Sequence, residues 1–262
     1  MKNVSFKKIL GSWVLACTSA AVFAVPVPGP DAFGYSGSTI AHNFRDISAT
    51  GTRVLQGTDD SATGPSIGLG FNFNFYGNTF SNLNIATNGF LSFGNADAFC
   101  CNGTLLGAGQ GVSNQVAPFH MDWMTTAPGA GIFYQSQGVA GSREFIVQWN
   151  AVNEFGNGSN RATFEAILHE ASNDIEFQYV AASNGNHRVT VGIQNAATDI
   201  GLGFVESAAG VTLAQNGLCF STNGVGANGT CPVSTNVPEP ATLALVGLGM
   251  LGLGVGRRRK LN

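Results

Sequence analysis

Four histidines and a set of acidic residues are the side chains of this sequence with the types needed for catalysis or metal binding. In His120-Met121-Asp122 the two ionisable residues have period-two spacing. On a strand they would share one face, as a metal pair or a base with its orienting carboxylate requires. The alternative is structural, with Asp122 accepting a hydrogen bond from a loop backbone. We predict no catalytic residue and no metal site, and His120 and Asp122 are the weak candidates for a metal. The other histidines are His42, His169 and His187.

Paired carboxylates are what glycoside hydrolysis needs. Glu144, Glu165 and Glu176, together with Asp122, are available for this role, and Glu165 and Glu176 lie on segments predicted to be neighbouring strands. The chain contains no HExxH, no GxSxG and no glycine-rich phosphate loop opening a helix. We therefore predict a protein that is not an enzyme. A hydrolase acting on exopolysaccharide is the alternative.

Two kinds of binding residue are also present. Asp59, Asp60 and Asp97 lie in predicted loops and offer oxygen ligands, but the DxDxDG spacing of a calcium loop is absent. We predict no cofactor, with calcium as the alternative. The aromatic side chains that could stack on a sugar ring are Trp123, Trp149, Tyr134 and Tyr179. Strand aromatics of a sandwich lie mostly in its core, so carbohydrate binding is the alternative to a structural role.

Cysteine usage agrees with an exported protein. Cys100, Cys101, Cys219 and Cys231 remain once the N-terminal segment is removed, and an even number favours two disulfides among three connectivities. A bridge between the last two closes a loop rich in glycine and asparagine. It leaves the adjacent pair to form a strained bridge or to stay free. Crossed bridges from the adjacent pair to Cys219 and Cys231 are the other possibility.

Charge is distributed unevenly along the chain. Residues 25–236 contain no lysine, five arginines and fourteen acidic residues, so the net charge is near −9 with histidine neutral. Such a surface repels phosphate backbones, and we predict no nucleic-acid partner.

Residues 1–24 have the order of parts of a secretory signal peptide. A Lys-Lys pair precedes an apolar run, small residues follow, and Val22 and Ala24 fit the −3 and −1 positions of a signal-peptidase site. We predict cleavage after Ala24. A lipoprotein signal ending at Cys17 is the alternative.

The chain ends in VPEPATLALVGLGMLGLGVGRRRK, residues 237–260. The apolar run 241–256 would be about 24 Å long as a helix, which is short for a hydrocarbon core of ~30 Å. Basic residues after it hold that end in the cytoplasm. The segment therefore predicts a short transmembrane helix that acts as a transient stop. Its flanking residues are Val237, Pro238, Glu239 and Pro240 on one side and Arg257, Arg258, Arg259 and Lys260 on the other.

Residues 25–220 are predicted to form one all-β domain, an antiparallel β-sandwich of about ten to twelve short strands. The clearest strand is 68–76, where apolar and aromatic residues alternate with small or polar ones and so share one face. Asn88-Gly89 between two apolar runs predicts a hairpin with a type I′ turn, in which both residues have positive φ. A polar linker is predicted over 221–236.

Several of these segments, in this order, resemble a nidogen-like extracellular β-domain of bacterial surface proteins. They are IGLGFNFNFYG (67–77), IATNGFLSFG (85–94), VAPFHMDW (116–123), GIFY (131–134), FIVQW (145–149), TFEAIL (163–168) and DIEFQY (174–179). The resemblance covers about 65–206, and His120 departs from the aromatic residue expected there. It implies a jelly-roll or nidogen-like sandwich, a non-catalytic role that is extracellular or matrix-associated, and no shared active site. We predict an adhesive or structural role.

The tail, 237–262, resembles a PEP-CTERM sorting signal. The resemblance implies recognition by an exosortase, cleavage close to Pro238-Glu239-Pro240 and transfer to the surface or the exopolysaccharide matrix of a Gram-negative bacterium. The implied partners are signal peptidase and exosortase during export across the inner membrane. Exopolysaccharide or other matrix components of a biofilm are implied afterwards, and the membrane is contacted only transiently.

Overall fold

The computed structural model describes residues 28–64, 66–94, 100–185, 187–224 and 231. These residues form fourteen strands, and no helix occurs among them. The strands are β1 Ser36–Ile40, β2 Thr52–Val54, β3 Ile67–Phe75, β4 Asn78–Ala86, β5 Phe90–Ser92, β6 Gln115–His120, β7 Trp123–Met124, β8 Gly131–Gln137, β9 Glu144–Glu154, β10 Asn157–His169, β11 Ile175–Ser183, β12 Val189–Gln194, β13 Gly201–Ala208 and β14 Thr212–Ser221. The prediction of an all-β domain is confirmed.

The strands form two antiparallel sheets. The larger sheet has the order β1-β14-β11-β10-β9-β8-β2, with β7 also paired to β9. The smaller sheet has the order β13-β12-β6-β5-β4-β3. The inner faces of the two sheets pack on each other, so the predicted antiparallel sandwich is confirmed. Because β1 and β2 lie at opposite edges of the larger sheet, the segment that joins them must cross it.

The core between the sheets follows the period-two pattern. In β3 the side chains of Leu69, Phe71 and Phe73 are buried, while the glycine and asparagine residues between them are exposed. Trp149 in β9 stacks on Phe164 with ring centroids 5.2 Å apart. Its indole N–H donates to a backbone carbonyl of the smaller sheet, that of Ala86, at 3.0 Å. Aromatic packing and this hydrogen bond together fix one sheet against the other.

The hairpin predicted at Asn88-Gly89 joins β4 to β5, but its turn differs from the predicted type. Ala86 pairs with Phe90, which leaves three residues in the loop, and only Gly89 has a positive φ, +74°. A Cβ atom on Gly89 would lie 2.2 Å from the carbonyl oxygen of Phe119. The glycine is therefore needed both for its backbone angle and for the close approach of β6. The type I′ assignment was wrong because the loop has one residue more than that turn allows.

Residues 41–51, which we call the strap, cross the outer face of the larger sheet from the β1 edge to the β2 edge. Backbone N–H groups of alternate strap residues donate to side chains of three neighbouring strands that are in register with one another. The bonds run from Asn43 to Gln178 (2.8 Å), from Arg45 to Glu165 (2.8 Å) and from Ile47 to Gln148 (2.7 Å). Ile47 also packs on Ile146 and Ile167. The strap thus covers polar side chains that a bare sheet would expose.

Several predicted features lie outside the described residues: the signal peptide 1–24 with its cleavage site at Ala24, and the sorting signal 237–262 with its short helix. Within the described residues there is no helix of the length and apolarity needed to cross a membrane. The predicted linker 221–236 is described only at 221–224 and at Cys231.

Candidate functional site

An open cleft of about 420 Å³ lies at the end of the sandwich where β3 turns into β4 and β10 turns into β11. We call it the aromatic cleft. Its aromatic lining consists of Phe33, Tyr35 and Tyr76. Its other lining residues are Asn74, Gly77, Ala171, Ser172, Asn173, Thr222 and Asn223. The size is in the usual range for a small-molecule site.

The aromatic rings are positioned by short local contacts. Asp31 accepts hydrogen bonds from the backbone N–H groups of Phe33 and Tyr35, both at 2.9 Å, and so fixes the loop before β1. The ring of Tyr76 then packs edge-on against Phe33 at 5.2 Å and lies 5.0 Å from Tyr35. Phe33 keeps 45 % of its surface exposed. The three aromatic rings therefore hold one another in place, and the ring of Phe33 is the one that remains exposed.

The polar lining carries amides and hydroxyls but no ionised group. Asn173 accepts a hydrogen bond from the backbone of Asn74 at 2.7 Å, and Asn223 donates to the carbonyl of Ser172 at 3.3 Å. The hydroxyl of Tyr76 is buried and has no hydrogen-bond partner of good geometry. Burial and the charge of Asp31 raise the pKa of that hydroxyl well above its ordinary value, so it stays protonated.

None of the four aromatic residues proposed from the sequence lines this cleft. Trp123, Trp149 and Tyr179 are fully buried in the core, as the structural interpretation of them predicts. Tyr134 is half-buried and stacks on Phe145 at 5.8 Å. Sequence reasoning missed the cleft aromatics. The available signal was the break in alternation at Phe75-Tyr76-Gly77, where two aromatic residues in a row precede a turn.

Three of the four carboxylates considered for hydrolysis, Glu144, Glu165 and Glu176, come together around Arg45 on the outer face of the larger sheet. Glu165 is fully buried and Glu176 is 4 % exposed, because the strap covers both. Arg45 of the strap donates to Glu176 at 2.9 Å and lies 3.1 Å from Glu144. These acidic side chains therefore hold the strap in place, and the strap covers Glu165 and Glu176 from solvent.

The surroundings under the strap shift the pKa values of Glu165 and Glu176 in opposite directions. Burial raises the pKa of Glu165 to about 8, although the backbone N–H and the charge of Arg45 act against it. Burial acts in the same direction on Glu176, but the hydrogen bond from His169 and the charge of Arg45 outweigh it and lower that pKa to about 2. At neutral pH Glu165 is protonated and Glu176 is ionised.

His120 and Asp122 do not form the pair that period-two spacing suggested. Strand β6 ends at His120, whose ring packs 4.7 Å from Phe90 and bonds Gln115 at 2.8 Å. Asp122 lies beyond the strand end, so the alternation no longer sets its direction. It joins Asp59 and Asp60 instead: one carboxylate oxygen from each lies within 4.8 Å of the others.

We call Asp59, Asp60 and Asp122 the acidic cluster. Burial, followed by the charges of Asp59 and Asp60, raises the pKa of Asp122 to about 6. His187 lies beside the cluster and contacts both Asp122, at 3.7 Å, and Glu154, at 2.9 Å. Asp97, the third loop aspartate considered for calcium, lies outside the described residues.

The cysteines form two bridges. Cys219 in β14 is joined to Cys231 with a Cα–Cα distance of 5.5 Å, and Cys100 is joined to Cys101. The crossed connectivity is therefore not the one the structure contains. Cys219 and Cys231 pack with Ile40 of β1 in a small apolar cluster on the larger sheet. This cluster ties part of the predicted linker back to the sandwich.

Comparison with known proteins gives two matches. A family model described as NIDO related matches residues 34–231, and a model described as a PEP-CTERM protein-sorting motif matches residues 236–260. No curated protein and no solved structure matches the chain.

Proposed function

The chain belongs to the NIDO-related family and carries a PEP-CTERM sorting motif, and from this premise we propose that it is a non-catalytic matrix protein that binds glycan in the aromatic cleft. The sorting motif marks an extracellular protein that exosortase processes. The proposal adds an adhesive or structural role at the surface or in the exopolysaccharide matrix of a Gram-negative bacterium. The observation that carries it is the half-exposed ring of Phe33 among amide and hydroxyl groups.

The cleft has the two kinds of group that sugars require. The open face of an aromatic ring packs against the C–H face of a pyranose, and amides and hydroxyls exchange hydrogen bonds with its hydroxyl groups. Asn74 and Asn223 are exposed at the rim, and Asn173 is half-buried beside them. Since the lining carries no ionised side chain, neutral sugars fit it better than anionic ones.

A non-catalytic role is supported by the fate of the carboxylate pair. Hydrolysis needs an acid and a base that both reach the glycosidic bond. Glu165 and Glu176 have the separated pKa values of such a pair, but the strap bonds to both and excludes substrate from them. The aromatic cleft, in contrast, contains no carboxylate in its lining.

Phe33→Ala is expected to weaken binding of the host exopolysaccharide about three- to tenfold, because it removes the exposed ring against which a sugar would pack. Binding is measured by calorimetry with the purified polysaccharide and with a panel of neutral oligosaccharides. Phe155→Ala is the matched control, since Phe155 is 50 % exposed in the β9–β10 connection at the other end of the sandwich. Equal weakening by both variants, or no binding by the unaltered protein, would refute the proposed role.

The sorting motif predicts that the protein recovered from the surface of its host lacks residues 241–262, because exosortase cleaves close to Pro238-Glu239-Pro240. Intact-mass spectrometry of the extracellular protein should give a mass that ends at this motif. Replacing Pro238 and Pro240 by alanine should leave the tail in place and keep the protein with the membrane fraction. Recovery of an intact C-terminal peptide from surface material would contradict this processing.

A further inference from the structure

We propose that the acidic cluster of Asp59, Asp60 and Asp122 is a calcium site at the end of the sandwich opposite the aromatic cleft. The two ends are distinct because β10 runs from one to the other: it begins beside Glu154, near the cluster, and ends at the turn that lines the cleft. The calcium site is therefore independent of the proposed glycan binding.

The spacing of the cluster fits a bound calcium ion. One carboxylate oxygen from each aspartate lies within 4.8 Å of the other two. Calcium binds oxygen at about 2.3–2.6 Å, so two oxygens on opposite sides of one ion are about 5 Å apart. All three aspartates can therefore contact one ion without backbone movement.

A second observation concerns Asp122 by itself. Asp122 is 4 % exposed, and its Oδ1 atom is buried without a hydrogen-bond partner. Its other oxygen, Oδ2, lies 3.7 Å from His187, which is too long for a hydrogen bond. A buried carboxylate oxygen without a partner is unfavourable by itself, and a cation beside it would supply the missing contact.

The second aspartate of the cluster, Asp60, is held in position by a hydrogen bond from the side chain of Asn88. Asn88 donates to Oδ1 of Asp60 at 2.8 Å and also accepts the backbone N–H of Trp123 at 3.0 Å. Asn88 thus links the loop that carries Asp60 to the segment that carries Asp122. The ligand positions are set by the β4–β5 hairpin and not by free loop motion.

Charge and donor chemistry favour calcium over a transition metal. The three aspartates repel one another, and the buried carboxylate of Glu154 lies nearby across His187. A divalent cation bound between the carboxylates would attract each of them and offset this repulsion. The sulfur atoms of Cys100 and Cys101 come within 4.8 Å of Asp60, but they are joined in a disulfide and are not thiolate ligands. Oxygen donors alone select a hard cation.

The test is calorimetric titration of the exported protein with calcium chloride after treatment with a chelator and desalting. We expect one site with a dissociation constant of about 10⁻⁴–10⁻³ M, the range of extracellular calcium modules. We also expect 10 mM calcium to raise the melting temperature by about 3–8 °C. Asp122→Asn should weaken binding at least about tenfold, since it removes a buried charged ligand.

Two further variants keep the result interpretable. Asp59→Asn changes a half-buried ligand, so it tests the site even if Asp122→Asn fails to fold. Asp199→Asn removes an exposed carboxylate elsewhere and should bind calcium like the unaltered protein. The proposal is overturned if the unaltered protein shows neither heat nor a thermal shift, or if Asp199→Asn loses binding as much as the cluster variants. Phe33→Ala should leave calcium binding unchanged, which separates this site from the glycan cleft.

Discussion

Glu165→Gln is expected to raise the free energy of unfolding at pH 8 by about 2–4 kcal/mol. Glutamine keeps the oxygen that accepts the backbone N–H of Arg45, and it removes a carboxyl that ionises when the chain unfolds. Gln178 and Gln148 on the two neighbouring strands already accept strap N–H groups in the same way. The substitution therefore extends a pattern that the sheet already has.

The pH dependence follows from the direction of the shift. The pKa of Glu165 is raised to about 8 in the folded protein from 4.5. A group of this kind contributes stability that is fully present below pH 4.5 and is lost as the pH rises through 8. Glu165→Gln should thus match the unaltered protein near pH 4 and exceed it progressively above that.

Urea denaturation at pH 4, 6 and 8 measures this difference. Glu206→Gln is the matched control, because Glu206 is an exposed glutamate of β13, and it should shift stability by less than about 0.5 kcal/mol. A constant offset between Glu165→Gln and the unaltered protein at all three pH values would show that Glu165 does not titrate as described.

Arg45→Met is expected to lower the free energy of unfolding at pH 7 by about 3–5 kcal/mol. This effect is opposite in sign to that of Glu165→Gln, although both residues belong to the same cluster under the strap. Arg45 donates to the buried Glu176 and lies beside Glu144. Removing its charge leaves an ionised carboxylate under the strap without its main counter-ion. Methionine retains most of the apolar stem, so lost packing contributes little.

The Arg45→Met deficit should depend on pH in a way that identifies its cause. The pKa of Glu176 is lowered to about 2, so its contribution to stability is present above pH 4.5 and is lost as the pH falls through 2. The difference between variant and unaltered protein should therefore narrow between pH 4.5 and 2. The double variant Arg45→Met/Glu176→Gln should recover part of the loss, and Arg161→Met, an exposed arginine, should lose little. If the double variant recovers no stability, the loss in Arg45→Met does not come from leaving the ionised Glu176 carboxylate without its counter-ion.

The sequence predicted those features that depend only on residues close to one another along the chain. The alternation of β3 and the hairpin at Asn88-Gly89 were readable because period and turn chemistry involve only neighbouring residues. The type of that turn was not readable, because the close approach of Phe119 and the three-residue loop are set by pairing with other strands.

The strap is a second feature that the sequence did not predict, because its contacts are with distant parts of the chain. Residues 41–51 have neither strand nor helix periodicity, and their backbone bonds go to side chains of β9, β10 and β11. Glu165 and Glu176 were correctly placed on neighbouring strands from the sequence. Their burial was not predictable, because the segment that covers them comes from a distant part of the chain.

The sequence by itself determined the class of the protein: an antiparallel β-sandwich followed by a sorting motif, each encoded in a contiguous pattern of residue types. The tertiary structure alone decided where the two proposed binding sites lie. Sheet pairing brings Phe33, Tyr76 and Asn223 together in one cleft at one end of the sandwich. At the opposite end it brings Asp60 to Asp122, and each set comes from segments that are distant along the chain. Periodicity is a property of neighbours along the chain, whereas a site is a property of neighbours in space.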